Sequence, residues 1–279
     1  MGDLETDTAV EPIGEDGRSR ARLSRDWEIW GPNGGYLAVI ALRAAGATTP
    51  LRRPASFTCH FLGVADFDAV DLEVRPLRVS KRAAALAVSM RQHDRPILEA
   101  VTWIVGDDAE GLEHDAAPSP DVEGPDGLLD TRARMPADAE QHYPAFWSNF
   151  EERPLRWIGN WLEREPGEPH FQSWFRYQPT STFDDPFVDA GRALLLVDTL
   201  GWPAAVRAYR ADIPFIAPSL DVSVRFHGVP ETEWLLCDVR SPVARDGLIA
   251  SSGSVWASDG RLVASGGQQM LCRPAPPLG

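Results

Sequence analysis

Apolar residues are concentrated in one run near position 40 and in a series of shorter runs after it. The segment YLAVIALRAAGA, residues 36–47, contains only one charged residue, Arg43. A helix that is apolar on almost every face has to be enclosed by other parts of the protein. The preceding Pro32–Gly35 is typical of a turn, and Asn33 is a suitable N-cap. The pattern therefore predicts a buried helix that begins close to Asn33.

The runs that follow this helix have the length of β-strands. Turn-like or charged residues separate them, and His93–Arg95 is a plausible hairpin turn between the last two. One enclosed helix followed by antiparallel strands favours a sheet that curls around the helix. We predict strands at residues 54–63, 69–76, 83–91 and 96–105.

The composition changes between residues 107 and 144. This segment is acidic, rich in proline and glycine and poor in large apolar residues, which is typical of a linker. Aromatic and apolar residues return after it, in strand-like segments that begin at Phe146 and Phe171. We therefore expect an N-terminal domain over residues 1–106, a linker over 107–144 and a C-terminal domain over 145–279.

An internal repeat supports this division. PASFTCHFLG near position 54 matches PSLDVSVRFHG near 218, and Phe61 and Phe226 are 165 residues apart. The same shift carries Asp94 to Asp259 and the helix start at Asn33 to Asp198. We predict that the second half repeats the first. Its helix would begin near Asp198, with strands at 219–227, 234–241, 247–257 and 261–272.

Three stretches resemble the double-hotdog acyl-CoA thioesterases, which include the bacterial type II thioesterases and their thioesterase-like relatives. They are WGPNGGYLAVIALRAA, PSLDVSVRFH followed by EWLLCDVRS, and SSGSVWASDGRLVASGGQQMLCR. The resemblance covers both repeats and fails only in the linker and the extreme termini. It implies an α+β double hotdog, in which each of two tandem hotdog domains wraps an antiparallel sheet around a central helix.

The resemblance also implies a site that hydrolyses the thioester of an acyl-CoA or acyl-carrier substrate with a bound water. The family holds this water with an Asp at the start of the second helix, a Ser or Thr on the next strand and a Gln on the last strand. The matching residues are Asp198, Ser219 and Gln268. Asp198 would accept the proton of the water, while Ser219 and Gln268 orient it. Gln269 would point to the opposite face of its strand.

Two further sets of residues are candidates for substrate binding. Backbone N–H groups at a helix start, those of Gly34 and Gly35 or of Thr199, could polarise the thioester carbonyl. Lys81 and Arg82 could contact the phosphates of coenzyme A, or they could form an ordinary solvated hairpin turn.

The two halves differ at the candidate catalytic positions. The shift of 165 residues places Asn33, Pro54 and Trp103 opposite Asp198, Ser219 and Gln268. Asn cannot act as a base, Pro has no hydroxyl and Trp offers a single donor. The sequence therefore predicts one competent site, built on the second half and walled by the first.

Charge and composition exclude several classes of function. The net charge of −14 disfavours nucleic-acid binding, and it means that a coenzyme A ester would need a local basic patch. The three cysteines and six histidines lack metal-ligand spacing, and no nucleotide-binding motif is found. We expect a cytoplasmic enzyme with free thiols, without a cofactor, a metal or a membrane span. By analogy with its relatives it would form a dimer of double hotdogs.

Two alternatives stay open. One is a hotdog enoyl-thioester hydratase or dehydratase, which generally pairs an Asp or Glu with a His; neither predicted helix start carries such a His. The other is a non-catalytic protein that binds acyl thioesters.

Overall fold

The computed structural model describes residues 1–14, 17–107, 110–136, 144–210 and 213–275. The strands of the first half are β1 (Glu11–Pro12), β2 (Arg18–Arg22), β3 (Arg53–Phe61), β4 (Ala69–Val79), β5 (Ala83–Gln92) and β6 (Arg95–Val105). Those of the second half are β7 (Phe150–Pro154), β8 (His170–Tyr177), β9 (Phe215–Ile216), β10 (Ser219–Phe226), β11 (Trp234–Arg245), β12 (Leu248–Ala257), β13 (Leu262–Leu271) and β14 (Arg273–Pro274). The helices are α1 (Leu4–Asp7), α2 (Gly34–Gly46), α3 (Thr131–Arg134), α4 (Pro186–Thr199) and α5 (Gly201–Val206).

Twelve of these strands form one antiparallel sheet, and β9 and β14 form a separate pair. The order in the large sheet is β1-β2-β4-β5-β6-β3-β10-β13-β12-β11-β8-β7. The second six strands repeat the order of the first six in reverse, so the two halves are related by a pseudo-twofold axis between β3 and β10. The inner face of the sheet packs on α2 and α4. This is the double hotdog that the resemblance implies, and the expected fold class is confirmed.

The register at the pseudo-twofold axis shows that the strand repeat is real. Thr58 on β3 is paired with Ser223 on β10, and these two residues are 165 positions apart. Their hydroxyl groups are hydrogen-bonded at 2.8 Å. A residue that pairs with its own counterpart has to lie on the axis that relates the two copies. The strand alignment inferred from the sequence is therefore confirmed at its centre.

The eight predicted strands are all present, and their ends differ from the predicted ones by a few residues at most. The hairpin turn between β5 and β6 is also found, with His93 and Asp94 at positive φ of 48° and 63°. Two left-handed residues in succession match the twist of the flanking strands. Within residues 146–163, only Phe150–Pro154 (β7) is a strand, and Ala145–Asn149 and Trp161–Glu163 form 3-10 turns; the strand-like segment from Phe171 is found as β8.

The first predicted helix is confirmed, and the second was placed wrongly. Asn33 caps α2 by accepting a hydrogen bond from the Tyr36 N–H at 2.9 Å. In the second half, however, α4 begins at Pro186 and ends at Thr199, so Asp198 lies at the end of the helix and not at its start. Its N-cap is Asp185, whose side chain accepts from the Phe187 N–H.

The two central helices run antiparallel and touch along glycine residues. A Cβ atom on Gly35 would lie 2.7 Å from Leu195 Cα and 2.8 Å from Leu195 O. A Cβ on Gly191 would meet the side chain of Val39 at 2.7 Å. Because both glycines lie where the helices cross, the two backbones approach more closely than larger side chains would allow. The beginning of α2 is thereby held against the end of α4.

The constant shift paired three residues of the first half with Asp198, Ser219 and Gln268. Aligning the two halves by their helices and strands changes the partners of Asp198 and Gln268. The N-caps Asn33 and Asp185 are equivalent, which places Gly46 opposite Asp198. Strand β13 is offset from its counterpart β6 by one residue more than the constant shift. The reason is that the turn before β13 contains Gly260 in addition to Ser258 and Asp259, whereas the turn before β6 has only two residues. The counterpart of Gln268 is therefore Thr102 and not Trp103: Gln268 is paired with Val222 and Thr102 with Phe57.

Replacing Gly35 with alanine tests the helix contact. We expect a loss of about 1–3 kcal/mol in the free energy of unfolding, because the new methyl group meets backbone atoms of α4 that cannot move alone. Urea denaturation measures this loss. The control is Gly228→Ala, where nothing lies within 4 Å of the added Cβ. Equal stabilities of the two variants would contradict the close approach.

Candidate active site

A pocket of about 430 Å³ opens where the start of α2 meets the end of α4. Its polar end is formed by Asn33, Gly34, Asp198, Thr199 and Ser219. The rest of its wall is mainly apolar and aromatic, and includes Ile29, Trp30, Leu37, Phe61, Trp147, Trp202 and Met270. A mostly apolar cleft with a few convergent polar groups is the usual form of a small-molecule site. Both halves of the chain contribute to it.

Asp198 is the only acidic residue among the described residues that line this pocket. Its side chain is buried, and its Oδ1 atom has no hydrogen-bond partner in the protein. A buried carboxylate oxygen without a partner is costly, and native proteins seldom keep one without a functional reason. Oδ1 is therefore the atom available to accept a proton or a hydrogen bond from a bound molecule.

Burial raises the pKa of the Asp198 carboxyl group from 3.8 to about 6. Hydrogen bonds from the Ser219 hydroxyl and the Gly35 N–H lower the pKa in part, and the nearby charge of Asp221 raises it. A carboxyl group with this pKa is ionised at neutral pH, yet it is a stronger base than an exposed aspartate. It therefore has the properties that a general base requires.

Ser219 and Gln268 lie together beside Asp198. The Ser219 hydroxyl donates to Gln268 Oε1 at 2.8 Å. Its single proton can serve either Gln268 or Asp198, so its oxygen remains able to accept from a water. Gln268 is buried behind Ser219, with its amide against Gly201. Because only Ser219 reaches the pocket lining, the direct role of Gln268 is to hold the serine.

The three candidate oxyanion donors have different surroundings. Gly34 lines the pocket as the first residue of α2, a position at which a helix leaves its N–H without an internal partner. The Gly35 N–H faces the Asp198 carboxylate. Thr199 is the last residue of α4, where N–H groups bond within the helix, and its hydroxyl donates to Leu195 O. The reason for expecting an oxyanion donor at Thr199 is therefore removed.

Other residues singled out in the sequence lie apart from the pocket. Lys81 and Arg82 form the exposed turn between β4 and β5, near the start of β3, whereas the pocket adjoins the end of β3 at Phe61. Gln269 is paired with Asp221, whose carboxylate accepts from the Gln269 N–H at 3.1 Å. It follows the buried Gln268 by one residue, so its side chain is on the opposite face of the strand.

The pseudo-symmetric position in the first half contains no comparable site. Gly46 replaces Asp198 there, and the ring of Phe187 lies where a side chain at position 46 would extend, 2.6 Å from its Cβ position. Pro54 takes the place of Ser219, and the hydroxyl of Thr102, which replaces Gln268, donates to the Ser56 carbonyl at 2.8 Å. The first copy therefore has no carboxylate at this position, and an aromatic ring fills the space.

The sequence did not assign Asn33, Trp202 or Arg273 to the pocket, whereas Trp30 was expected in the core or along the acyl chain. Trp30 and Trp202 meet edge to face at its rim, with ring centroids 6.0 Å apart. Asn33 donates to the Thr199 hydroxyl at 3.2 Å and so joins the two helix ends. Arg273, beyond the last predicted strand, is another residue of the lining. No sequence pattern places Asn33, Trp202 and Arg273 in one pocket, because only the tertiary packing of both halves brings them together.

The described residues contain neither a metal-ligating cluster nor a helix able to span a membrane. No group of three or more His, Cys, Asp or Glu side chains is placed to hold a metal ion. None of the described helices is both long and apolar enough to span a membrane.

The chain matches two family models. The model described as the acyl-CoA thioesterase N-terminal domain matches residues 23–105, and the one described as the acyl-CoA thioesterase C-terminal domain matches residues 125–272. Together these matches span most of the chain and include Asp198, Ser219 and Gln268. No protein of curated function matches the sequence.

Solved structures share the fold at low sequence identity. A hot dog fold protein of unknown function from Alicyclobacillus acidocaldarius is 23% identical, with a TM-score of 0.80 and 98% of each chain covered. A putative thioesterase II from Thermobifida fusca is 20% identical, with the same TM-score and coverage. The acyl-CoA thioesterase II TesB2 from Mycobacterium marinum is 22% identical, with a TM-score of 0.76, 99% of this chain covered and 100% of that one. These likenesses establish the fold over the full length.

The raised pKa of Asp198 has a measurable effect on stability. Between pH 3.8 and about 6 the folded state keeps a proton that the unfolded state releases, so stability falls as the pH rises through this window. We expect Asp198→Asn, which carries no charge, to escape this loss. At pH 8 the variant would be more stable than the original protein by up to about 3 kcal/mol, and the difference would vanish near pH 4. Urea unfolding at both pH values measures it, and a variant that is less stable at pH 8 would contradict the free-energy penalty of burying this carboxylate.

Proposed function

Because the chain belongs to the acyl-CoA thioesterase family, we propose that it hydrolyses acyl thioesters at the pocket around Asp198. The observation that carries this proposal is the buried carboxylate with a pKa of about 6 and an Oδ1 atom that no protein group uses. It lies at the polar end of an otherwise apolar pocket, which suits a substrate with a reactive carbonyl and a hydrocarbon chain. The acyl group would lie along the aromatic wall.

The catalytic step follows from the polar groups at this end of the pocket. A water between Asp198 Oδ1 and the Ser219 hydroxyl would give one proton to the carboxylate while its oxygen attacks the thioester carbonyl. The tetrahedral intermediate then collapses, the C–S bond breaks and the thiolate takes up the proton. The products are a carboxylic acid and a free thiol. A thiolate is a good leaving group, so the main demands on the protein are to position the water and stabilise the oxyanion.

The first turn of α2 can stabilise that oxyanion. The Gly34 N–H lies at the positive end of the helix and borders the pocket. One such donor is typically worth about 3 kcal/mol in the transition state. Gly35 would act indirectly, since its N–H faces Asp198 and holds the carboxylate in place. The glycine pair thus divides into an oxyanion donor and a positioning residue.

The alternatives considered from the sequence gain no specific support. A hydratase of the hotdog type would need a histidine beside the acid, and no histidine is among the described residues that line the pocket. A purely binding protein would have little use for a buried carboxylate oxygen without a partner. Hydrolysis is therefore the function that the site supports best.

Substitutions at the three residues test the assignment. We expect Asp198→Asn to lower kcat by roughly 10²–10⁴, the usual contribution of a general base. Ser219→Ala and Gln268→Ala would lower it less, because Ser219 only positions the water and Gln268 only holds Ser219. Release of free thiol from a series of acyl-CoA esters measures the rate. Ser223→Ala, on the same strand but on the outer face, is the matched control and should leave the rate unchanged. Unchanged cleavage in both Asp198→Asn and Gln268→Ala would refute this site.

The pH dependence gives an independent test. Only the ionised carboxylate can accept a proton, so kcat/KM should rise about tenfold per pH unit below the pKa of Asp198 and level off above pH 6 or so. A rate profile between pH 4.5 and 9 with an acyl-CoA ester measures the midpoint. A midpoint near the ordinary aspartate value would show that the base is a different, exposed group.

A further inference from the structure

Arg273 is the only basic residue among the described residues that line the pocket. Its side chain is exposed and takes part in no ion pair or hydrogen bond within the described part of the chain. Asp198 is the only other charged residue in that lining. In a chain with a net charge of −14, a cation at a pocket that is otherwise almost uncharged is a local exception. It would attract an anionic group that the rest of the surface repels.

The backbone holds Arg273 at a fixed place relative to the catalytic residues. It lies on β14 and is paired with Ile216 of β9. Just before it, the Leu271 N–H donates to Pro218 O at 3.1 Å, and Pro218 directly precedes Ser219. The chain from Gln268 to Arg273 is therefore hydrogen-bonded to the segment that leads into and includes Ser219.

The separation along this polypeptide is compatible with the length of a pantetheine arm. Arg273 is five residues beyond Gln268, a span of at most about 17 Å in extended chain. A pantetheine arm contains two amide units between its sulfur and its terminal hydroxyl, and its length is roughly that of four extended residues, about 14 Å. With the thioester at Asp198 and Ser219, a phosphate on the far end of the arm falls within reach of the Arg273 guanidinium.

We propose that Arg273 binds the 4′-phosphate of the pantetheine arm and so selects thioesters whose carrier is phosphorylated. This inference rests on the proposed thioesterase function of the pocket. Guanidinium groups suit this task, because their fixed donors match phosphate oxygens in pairs. The same phosphate occurs in coenzyme A and in the prosthetic arm of carrier proteins, so the contact serves either carrier. Arg273 would contribute to substrate binding and not to the chemical step.

The test compares one acyl group on three carriers. Hexanoyl thioesters of pantetheine, 4′-phosphopantetheine and coenzyme A are assayed with the original protein, Arg273→Gln, Arg273→Lys and the control Arg82→Gln. Arg82 is also exposed, and it lies on the hairpin turn away from the pocket. We expect Arg273→Gln to raise KM roughly tenfold for both phosphorylated carriers, the usual size of a charge-assisted hydrogen bond, with kcat unchanged. The pantetheine ester should not respond.

Three additional readouts make the result decisive. Arg273→Lys should recover part of the affinity, and the tenfold effect should shrink at high salt because the contact is exposed. Equal effects on all three esters, or a loss in Arg82→Gln instead, would overturn the proposal. So would an effect on the coenzyme A ester alone, which would place the contact at its distal phosphates.

Binding of 4′-phosphopantetheine separates the two proposals. Isothermal titration of this compound needs no turnover, so it tests Arg273 even if none of the three esters is cleaved. Absence of cleavage would refute the thioesterase function alone. Weaker binding by Arg273→Gln but not by Arg82→Gln would then still support the phosphate contact, and identical binding by both would reject it.

Discussion

The close packing of α2 on α4 is the contact on which the site depends. Gly35 lets the first turn of α2 approach the backbone at Leu195, and this approach brings Gly34 and Asn33 to the last turn of α4. A carboxylate at the end of a helix faces the negative pole of its own helix. Asp198 lies there, but the positive end of α2 lies directly beside it. The antiparallel crossing therefore supplies both the burial that makes the carboxylate basic and the N–H group that holds it.

Much of the fold could be predicted from the sequence because the strands repeat with almost constant spacing. The helices did not follow this spacing. The N-caps Asn33 and Asp185 are 152 residues apart, whereas strands β3 and β10 are offset by 165, because the second half inserts α5 and a longer connection after its central helix. The run from Leu194 to Tyr209 is largely apolar, with Asp198, Thr199 and Arg207 as its polar residues, so its composition does not show where one helix ends and the next begins.

The candidate site was predicted in part. One of the arguments for it, the equivalence of Asn33 and Asp198 in the repeat, is wrong in the structure. The resemblance named Asp198, Ser219 and Gln268, and the structure brings them together. The constant shift also paired Asn33 with Asp198, and these residues do lie close in space. They are neighbours across the helix crossing and not copies of each other. Arg273 gave no signal, because it lies outside the repeat in a chain whose basic residues are almost all arginine.

The Phe187 ring above Gly46 shows what joining two hotdogs in one chain permits. In a dimer of identical subunits every substitution appears on both sides of the twofold axis, so a residue that closes one site closes the other. A fused chain is free of this restriction. One copy can have glycine in place of the carboxylate, with an aromatic ring from the other half in that space, while the other copy keeps a buried carboxylate at its pocket. Because positions 46 and 198 differ, an aromatic ring can pack at one of them while the carboxylate at the other remains available for chemistry.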